Sequence, residues 1–265
     1  MNEQIRIPDP VRSFVAIGDS FTEGLADDRG DGVFRGWADL VAQRLARREP
    51  GLRYANLAVR GKLIGQIRAD QLAPAAAMRA DLVSLAGGLN DIMRPGCDLD
   101  AVCEHITRCA ETLAASAGLL VLFHPIDVRA RMPSAARLWP KVARLIEVVD
   151  QLAAQHGAVV VDLAAERVFD DARLWAPDRI HLTAEGHRRV AEAVLEALGF
   201  EPESDWRAPL PAAPARGPLA HRAAKSWSDA RWLVGFLAPW IRRRLTGRSS
   251  GDGIEPKRPE LTPVG

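Results

Sequence analysis

The chain has 265 residues and a formal net charge of +1, with 48% hydrophobic and 26% charged residues. This length allows one sizeable domain, or one domain with an appendage, and the composition is typical of a globular protein. The near-zero net charge excludes a general electrostatic attraction to nucleic acid, so no nucleic-acid partner is expected.

The start of the chain and its cysteines indicate where the protein works. The first residues are acidic and polar, without the basic start and apolar segment of a secretory signal. No apolar run approaches the roughly 20 residues that cross a bilayer. Cys97, Cys103 and Cys109 are odd in number and lack the close pairs of zinc sites, which favours reduced thiols. We therefore expect a cytoplasmic protein without a metal site.

Short apolar runs recur along the chain and predict strands. They lie at residues 13–17, 53–57, 82–85, 119–123 and 158–161. The segments between them carry apolar residues at helical spacing, as at Trp37, Val41 and Leu45. This alternation predicts a parallel sheet covered by helices on both faces. The nearly continuous hydrophobicity of the runs fits strands that are buried on both faces.

The last helix of this domain is predicted to start at Thr183, a good N-cap, and to stop at Gly199. The residues after it are rich in proline up to position 220 and predict an extended connector. We therefore expect one domain over residues 1–200 and a C-terminal extension over residues 201–265.

The C-terminal extension contains a cluster of tryptophans followed by three arginines, over residues 227–244. This pattern predicts an amphipathic helix that docks back on the main domain. The other interpretation is a helix that makes a weak contact with a membrane surface, or binds a partner, through its tryptophans and arginines. From Thr246 the chain is rich in Gly, Ser and Pro and is predicted to be a mobile tail.

Polar groups follow the predicted strands, where ligands bind in open parallel sheets. The segments are Gly18-Asp19-Ser20, the loop that reaches Gly61, Gly87-Gly88-Leu89-Asn90-Asp91 and, before the last helix, Asp178-Arg179-Ile180-His181. A serine nucleophile needs a base, and the base needs a third group to orient it. His181 and Asp178 have the residue types for these two roles. The backbone N–H groups of Ser20 and Gly61 and the amide of Asn90 are suitable donors to an oxyanion.

These four blocks, in this order over residues 13–199, resemble the SGNH or GDSL hydrolases. The resemblance implies Ser20 as nucleophile, His181 as general base and Asp178 as its orienter. It implies an oxyanion hole formed by Gly61, Asn90 and the Ser20 backbone, and no cofactor. Asp19 and Asp91 lie beside these residues and are expected to brace the loops. The implied fold is a flavodoxin-like α/β/α sandwich with five parallel strands in the order 2-1-3-4-5, here with a C-terminal helical extension.

The expected function is hydrolysis of short-chain acyl or acetyl esters through a Ser-His-Asp triad and an acyl-enzyme. Acetyl-sugar, short-chain lipid and thioester substrates all remain open, as does the oligomeric state. The competing hypothesis is a non-catalytic binding or membrane-surface protein that uses residues 227–244. Loops 26–35 and 127–139 are expected to form the pocket wall. Four histidines are expected to be structural and two tryptophans to lie in the core or at the rim: His105, His124, His156, His187, Trp37 and Trp139.

Overall fold

The computed structural model describes residues 9–30, 32–212, 235 and 249–265. Its strands are β1 (Ser13–Gly18), β2 (Arg53–Asn56), β3 (Leu82–Ala86), β4 (Leu119–His124), β5 (Val159–Asp162) and β6 (Arg258–Pro263). Its α-helices are α1 (Ser20–Glu23), α2 (Gly36–Arg48), α3 (Ile64–Asp70), α4 (Leu72–Ala77), α5 (Leu89–Ile92), α6 (Leu99–Ser116), α7 (Trp139–His156) and α8 (Ala184–Ala197). The predicted Trp- and Arg-rich helix over residues 227–244 lies, apart from Gly235, outside the described residues.

The sheet has the predicted strand order and one additional strand. Each of the five predicted strands is present, with ends within one residue of the apolar run. They pair in parallel in the order β5-β4-β3-β1-β2, so β1 and β3 are neighbours and their loops leave the sheet side by side. The sixth strand, β6, pairs antiparallel with β2 at the edge of the sheet. Its two prolines fit this position, because an edge strand does not use every N–H group.

The prediction of a mobile tail is wrong for residues 249–265. Besides the pairing of β6, the Nζ of Lys257 donates hydrogen bonds to the carbonyl oxygens of Glu23, Phe34 and Arg35 at 2.6, 2.8 and 2.7 Å. It also forms an ion pair with Asp39. The composition of the segment is typical of a tail. Its backbone nevertheless pairs with β2, and Lys257 packs against three carbonyl oxygens.

Alternate residues of the strands face two separate cores. Phe14 and Ala16 of β1 pack with α2 and α8, whereas Val15 and Ile17 pack with α3, α4, α6 and α7. This alternation is the period of a β-strand with both faces covered. The protein is therefore an α/β/α sandwich of the predicted flavodoxin-like type, with α8 on one face of the sheet and α6 and α7 on the other.

The last helix of the sandwich begins where the sequence predicts. The hydroxyl oxygen of Thr183 accepts a hydrogen bond from the N–H of Gly186 at 3.4 Å and caps α8. Beyond α8 the chain still packs on the domain, because Trp206 is only 2% exposed and its carbonyl accepts a hydrogen bond from Arg189 at 2.7 Å. Within the described ranges, no helix is long and apolar enough to cross a bilayer.

Candidate active site

The turn after β1 is held in place by buried contacts on both sides of Gly18. A side chain at Gly18 would put its Cβ 2.5 Å from the carbonyl oxygen of Ala86, so glycine allows β1 and β3 to approach closely. The side-chain amide of Gln71 both donates to the Gly18 carbonyl at 2.9 Å and accepts from its N–H at 2.8 Å. Ser20 is the first residue of α1, so its side chain is presented at the end of the strand.

Ser20, His181 and Asp178 form a continuous hydrogen-bonded chain. The Oγ of Ser20 lies 2.9 Å from Nε2 of His181, and Nδ1 of His181 lies 2.6 Å from Oδ2 of Asp178. The other oxygen of Asp178 accepts hydrogen bonds from the N–H groups of Ile180 and His181 at 3.1 and 3.0 Å. The structure thus brings together all three residues that the sequence assigns to the triad.

The charge state of Asp178 favours this arrangement. Burial alone would raise the pKa of Asp178, but the hydrogen bond and charge of His181, with the two backbone N–H groups, lower the pKa below its usual value. An ionised Asp178 accepts a hydrogen bond from Nδ1–H of His181. Nε2 is then available to accept the proton of the Ser20 hydroxyl, which is the tautomer that a general base requires.

The loop that carries His181 is closed by backbone contacts. The N–H of Ala176 donates to the carbonyl of His181 at 2.8 Å, and Trp175 forms an isolated antiparallel bridge with Leu182. A guanidinium nitrogen of Arg131 donates to the carbonyl of Arg179 at 2.8 Å, and its guanidinium lies 4.0 Å from the ring centroid of Trp175. These contacts hold the loop in place and leave both ring nitrogens of His181 for Ser20 and Asp178.

Asn90 lies next to the turn that carries Ser20, and its side-chain amide donates two hydrogen bonds. Its Nδ2 donates to Oδ2 of Asp19 at 3.0 Å and to the carbonyl of Lys62 at 3.1 Å. The amide therefore connects the loops after β1, β2 and β3. An oxyanion bound beside Asn90 would accept a hydrogen bond from an amide hydrogen that already bonds to Asp19 or to the Lys62 carbonyl.

Gly61 lies between two anchored residues but does not line the cavity beside Ser20. Its φ of +73° is in the left-handed region, and a Cβ there would lie 2.4 Å from Oγ of Ser249, so glycine is required. On one side the Lys62 carbonyl binds Asn90, and on the other Arg60 binds Glu23. Among the described residues, no acceptor takes a hydrogen bond from the N–H of Ser20 or of Gly61.

The two acidic residues beside the site brace loops, in line with the expectation from sequence. Oδ1 of Asp19 accepts a hydrogen bond from the N–H of Phe21 at 3.0 Å, and Asp91 accepts one from the N–H of Ile64 at 3.0 Å. Burial raises the pKa of Asp19 to about 6 and also raises the pKa of Asp91. Asp19 is thus a buried carboxylate in contact with Asn90 and next in sequence to Ser20.

Sequence reasoning missed the residues that lock these loops together. Glu23 is buried, and its carboxylate binds Arg60 through both the backbone N–H and the guanidinium. Gln71 holds Gly18, and Lys257 holds the carbonyl at the end of α1. Glu23 lies only three residues after the Gly18-Asp19-Ser20 segment, whereas no pattern points to Gln71 or Lys257.

A cavity of about 330 Å³ adjoins Ser20, Asn90 and His181. Loop 127–139 forms part of its wall as expected, but the described residues of loop 26–35 do not line it. That expectation was wrong because the loop turns away from the cavity: Lys257 binds its Phe34 and Arg35 carbonyls. Trp37 lies in the core, and Trp139 lies at the cavity with the Arg129 guanidinium 3.6 Å from its ring centroid.

Two of the other histidines, His124 and His187, are held by contacts inside the protein. His124 lines the cavity and is held by the carboxylates of Asp150 and Asp162 at 2.9 and 3.1 Å. His187 is 1% exposed, its Nε2 lies 3.2 Å from the carbonyl of Leu25, and burial lowers its pKa to about 4. Across the described part of the chain, no cluster of three or more His, Cys, Asp or Glu side chains is arranged to hold a metal ion.

Comparisons with known proteins give a family and a set of related folds. The profile of the GDSL-like lipase/acylhydrolase family matches residues 16–189. An acetylxylan esterase from Geobacillus stearothermophilus is 27% identical over 208 residues, which cover 70% of this chain and 93% of that protein.

Two solved structures illustrate the similarity in fold. A catalytic mutant of an acetylxylan esterase from Geobacillus stearothermophilus has a TM-score of 0.59 and 23% identity, covering 72% of this chain and 95% of its own. An α/β hydrolase enzyme from the metagenome of Lake Arreo, Spain, has a TM-score of 0.59 and 24% identity, covering 71% of this chain and 95% of its own.

Proposed function

The chain belongs to the GDSL-like lipase/acylhydrolase family and is a carboxylic ester hydrolase, and we propose that it works through a covalent acyl-enzyme on Ser20. The observation that carries this proposal is the unbroken contact from Ser20 Oγ through His181 to Asp178, at 2.9 and 2.6 Å. This chain of contacts supplies a nucleophile, a base and an orienting carboxylate at one strand end.

In the first half of the reaction, Ser20 Oγ attacks the ester carbonyl carbon while His181 Nε2 removes the hydroxyl proton. The resulting imidazolium is stabilised by the ionised Asp178. His181 then gives the proton to the oxygen of the departing alcohol, and the bond between that oxygen and the carbonyl carbon breaks. The acyl group remains as an ester on Ser20.

In the second half, water replaces the alcohol. His181 removes a proton from the water, whose oxygen attacks the acyl carbon, and the same proton returns to Ser20 Oγ as the acid leaves. Both halves pass through a tetrahedral oxyanion. The N–H groups of Ser20 and Gly61 and the amide of Asn90 are the proposed donors to it. In support, neither N–H group has an acceptor among the described residues.

The relatives support the same assignment. Solved structures of the Geobacillus stearothermophilus acetylxylan esterase include catalytic mutants in which an aspartate, a histidine or a serine is replaced by alanine. These are the three residue types proposed here as the triad. The competing hypothesis of a non-catalytic membrane-surface protein depends on residues 227–244, which lie outside the described residues apart from Gly235.

Replacement of the nucleophile tests the proposal. We expect Ser20→Ala to hydrolyse p-nitrophenyl butyrate at least about 10³-fold more slowly than the parent, with the remaining rate due to binding and oxyanion stabilisation. We also expect a fluorophosphonate probe to label the parent and not the variant. Ser116→Ala is the matched control, because Ser116 is the last residue of α6 and, among the described residues, its hydroxyl bonds only to the Thr112 and Leu113 carbonyls. A Ser20→Ala protein as active as this control would overturn the assignment.

A further inference from the structure

We propose that the cavity beside Ser20 binds the acyl chain of the substrate, and that the preferred substrate is an ester of a straight-chain acid of roughly six to ten carbons. This inference rests on the proposed function and extends it, because the sequence alone favours short-chain acyl or acetyl esters. The size, lining and position of the cavity each contribute to it.

The inner lining of the cavity is apolar and buried. It is formed by Leu85 of β3, Leu122 of β4, Ile106 of α6, and Val142, Leu145 and Val149 of α7. Each of these side chains is less than 9% exposed. Sugar hydroxyls placed against this lining would lose water without gaining hydrogen bonds, whereas methylene groups would gain from leaving water. The lining therefore selects a hydrocarbon over a carbohydrate.

The length of the cavity follows from helix α7. Leu138, Val142, Leu145 and Val149 all line the cavity and recur at intervals of four, three and four residues, so they form one stripe along the helix. Eleven helical residues extend over about 16 Å, and an extended chain advances about 1.2 Å per bond. A chain of six carbons spans about 6 Å and one of ten carbons about 11 Å, so both fit within this length, whereas an acetyl group leaves it nearly empty. The volume of about 330 Å³ lies at the small end of ligand pockets, which argues against two chains.

The position of His181 indicates which part of the ester enters the cavity. His181 must protonate the departing alcohol, so the alcohol lies on the His181 side of Ser20. His181 precedes α8, which packs on one face of the sheet, whereas α6 and α7 cover the other face. The apolar lining from α6 and α7 is therefore available to the acyl group. The alcohol lies on the His181 side of Ser20, away from this apolar lining.

Three polar lining residues away from the triad do not contradict this assignment, because each has a partner inside the protein. Both ring nitrogens of His124 contact carboxylates, of Asp150 and Asp162. Nε2 of His187 contacts the carbonyl of Leu25. Arg129 pairs with Asp127 and stacks on Trp139.

The chain-length dependence of the purified full-length protein tests the inference. With p-nitrophenyl esters from acetate to dodecanoate, we expect kcat/KM to rise by up to about fourfold for each added methylene, until the cavity is filled. Above roughly ten carbons we expect it to level off or fall. A monotonic fall from acetate onward would overturn the inference and leave the proposed function intact. If no ester in the series is hydrolysed, the proposed function fails as well.

Two substitutions on α7 test where the acyl chain lies in the cavity. Leu145→Phe and Val149→Phe narrow the cavity, and we expect each to move the preferred ester to a shorter acyl group. The matched control is Leu152→Phe, because Leu152 is buried on the same helix but does not line the cavity. An unchanged optimum in both folded cavity variants, or the same shift in the control, would overturn the placement of the chain.

Discussion

The buried carboxylate of Glu23 accepts hydrogen bonds from both the backbone N–H and the guanidinium Nε of Arg60, at 2.7 and 2.9 Å. Glu23 is the last residue of α1, which starts at Ser20, and Arg60 directly precedes Gly61. The pair therefore ties the helix of the proposed nucleophile to the proposed oxyanion loop. Neither side chain needs to touch the substrate to affect the reaction, because both hold residues that do.

We expect Arg60→Ala to lower kcat by about 10- to 100-fold with a smaller change in KM, because a displacement of about 1 Å in the reacting groups costs a rate factor of this order. Glu23→Gln should lose less, since its side-chain oxygen still accepts the Arg60 N–H. Steady-state kinetics with a p-nitrophenyl ester measure both effects.

Arg44→Ala provides the control for loss of an arginine ion pair. Its partner Glu203 is 52% exposed, and exposed pairs contribute little to stability. If Arg60→Ala lowers kcat no more than Arg44→Ala does, or if Glu23→Gln is as slow as Glu23→Ala, then the Glu23–Arg60 pair does not position the site.

The half-buried ion pair of Lys257 and Asp39 connects the C-terminal strand to the domain. Burial lowers the pKa of Lys257 and raises the pKa of Asp39, so the charged forms depend on each other. We expect Lys257→Met to reduce the free energy of unfolding by about 3 kcal/mol, because it leaves a half-buried carboxylate without its lysine partner.

The double variant Lys257→Met, Asp39→Asn removes the uncompensated charge and should recover part of this loss, as measured by urea denaturation at neutral pH. A double variant that is less stable than Lys257→Met would show that the carboxylate has other strong partners. Equal stability of Lys257→Met and the parent would show that the C-terminal segment does not contribute to the fold.

The sequence predicted the residues of the proposed triad because they lie after a recognisable strand or before a recognisable helix. The strand order places these loops together, so residue type and position along the chain sufficed for Ser20 and His181. The contacts that hold the loops have no such local signal. Lys257 and Glu23 are separated by more than 200 residues, and the amide clamp of Gln71 on Gly18 spans 53 residues.

The tail shows why composition misleads at the end of this chain. A segment rich in Gly, Ser and Pro resembles a tail when only its own residues are considered. The segment pairs with β2 because that strand offers a free edge. Lys257 finds its acceptors on the carbonyls of Glu23, Phe34 and Arg35, which are far away in the sequence. The cavity is likewise invisible in the sequence, because its apolar lining residues look like ordinary core positions on α6 and α7.

His187 makes the protein sensitive to acid. Burial lowers its pKa from 6.5 to about 4, so the fold holds the neutral imidazole and opposes protonation. Its stabilising effect is complete above pH 6.5 and is lost as the pH falls toward 4. The free energy of unfolding of His187→Gln, minus that of the parent, is expected to rise by about 3 kcal/mol as the pH falls from 7 to 4. Urea denaturation across this range measures the difference, and a constant difference would contradict the lowered pKa.

Asp19 acts in the opposite direction over nearly the same range. Burial raises its pKa from 3.8 to about 6, so the fold favours the protonated carboxyl. The stabilising effect is complete below pH 3.8 and is lost as the pH rises through 6. We expect the free energy of unfolding of Asp19→Asn, minus that of the parent, to rise by about 2.5 kcal/mol from pH 4 to pH 7.5, as measured by urea denaturation. Because His187 offsets Asp19, the parent curve alone hides both effects, and the test is the difference between variant and parent. If that difference does not change with pH, Asp19 ionises as it does in the unfolded chain.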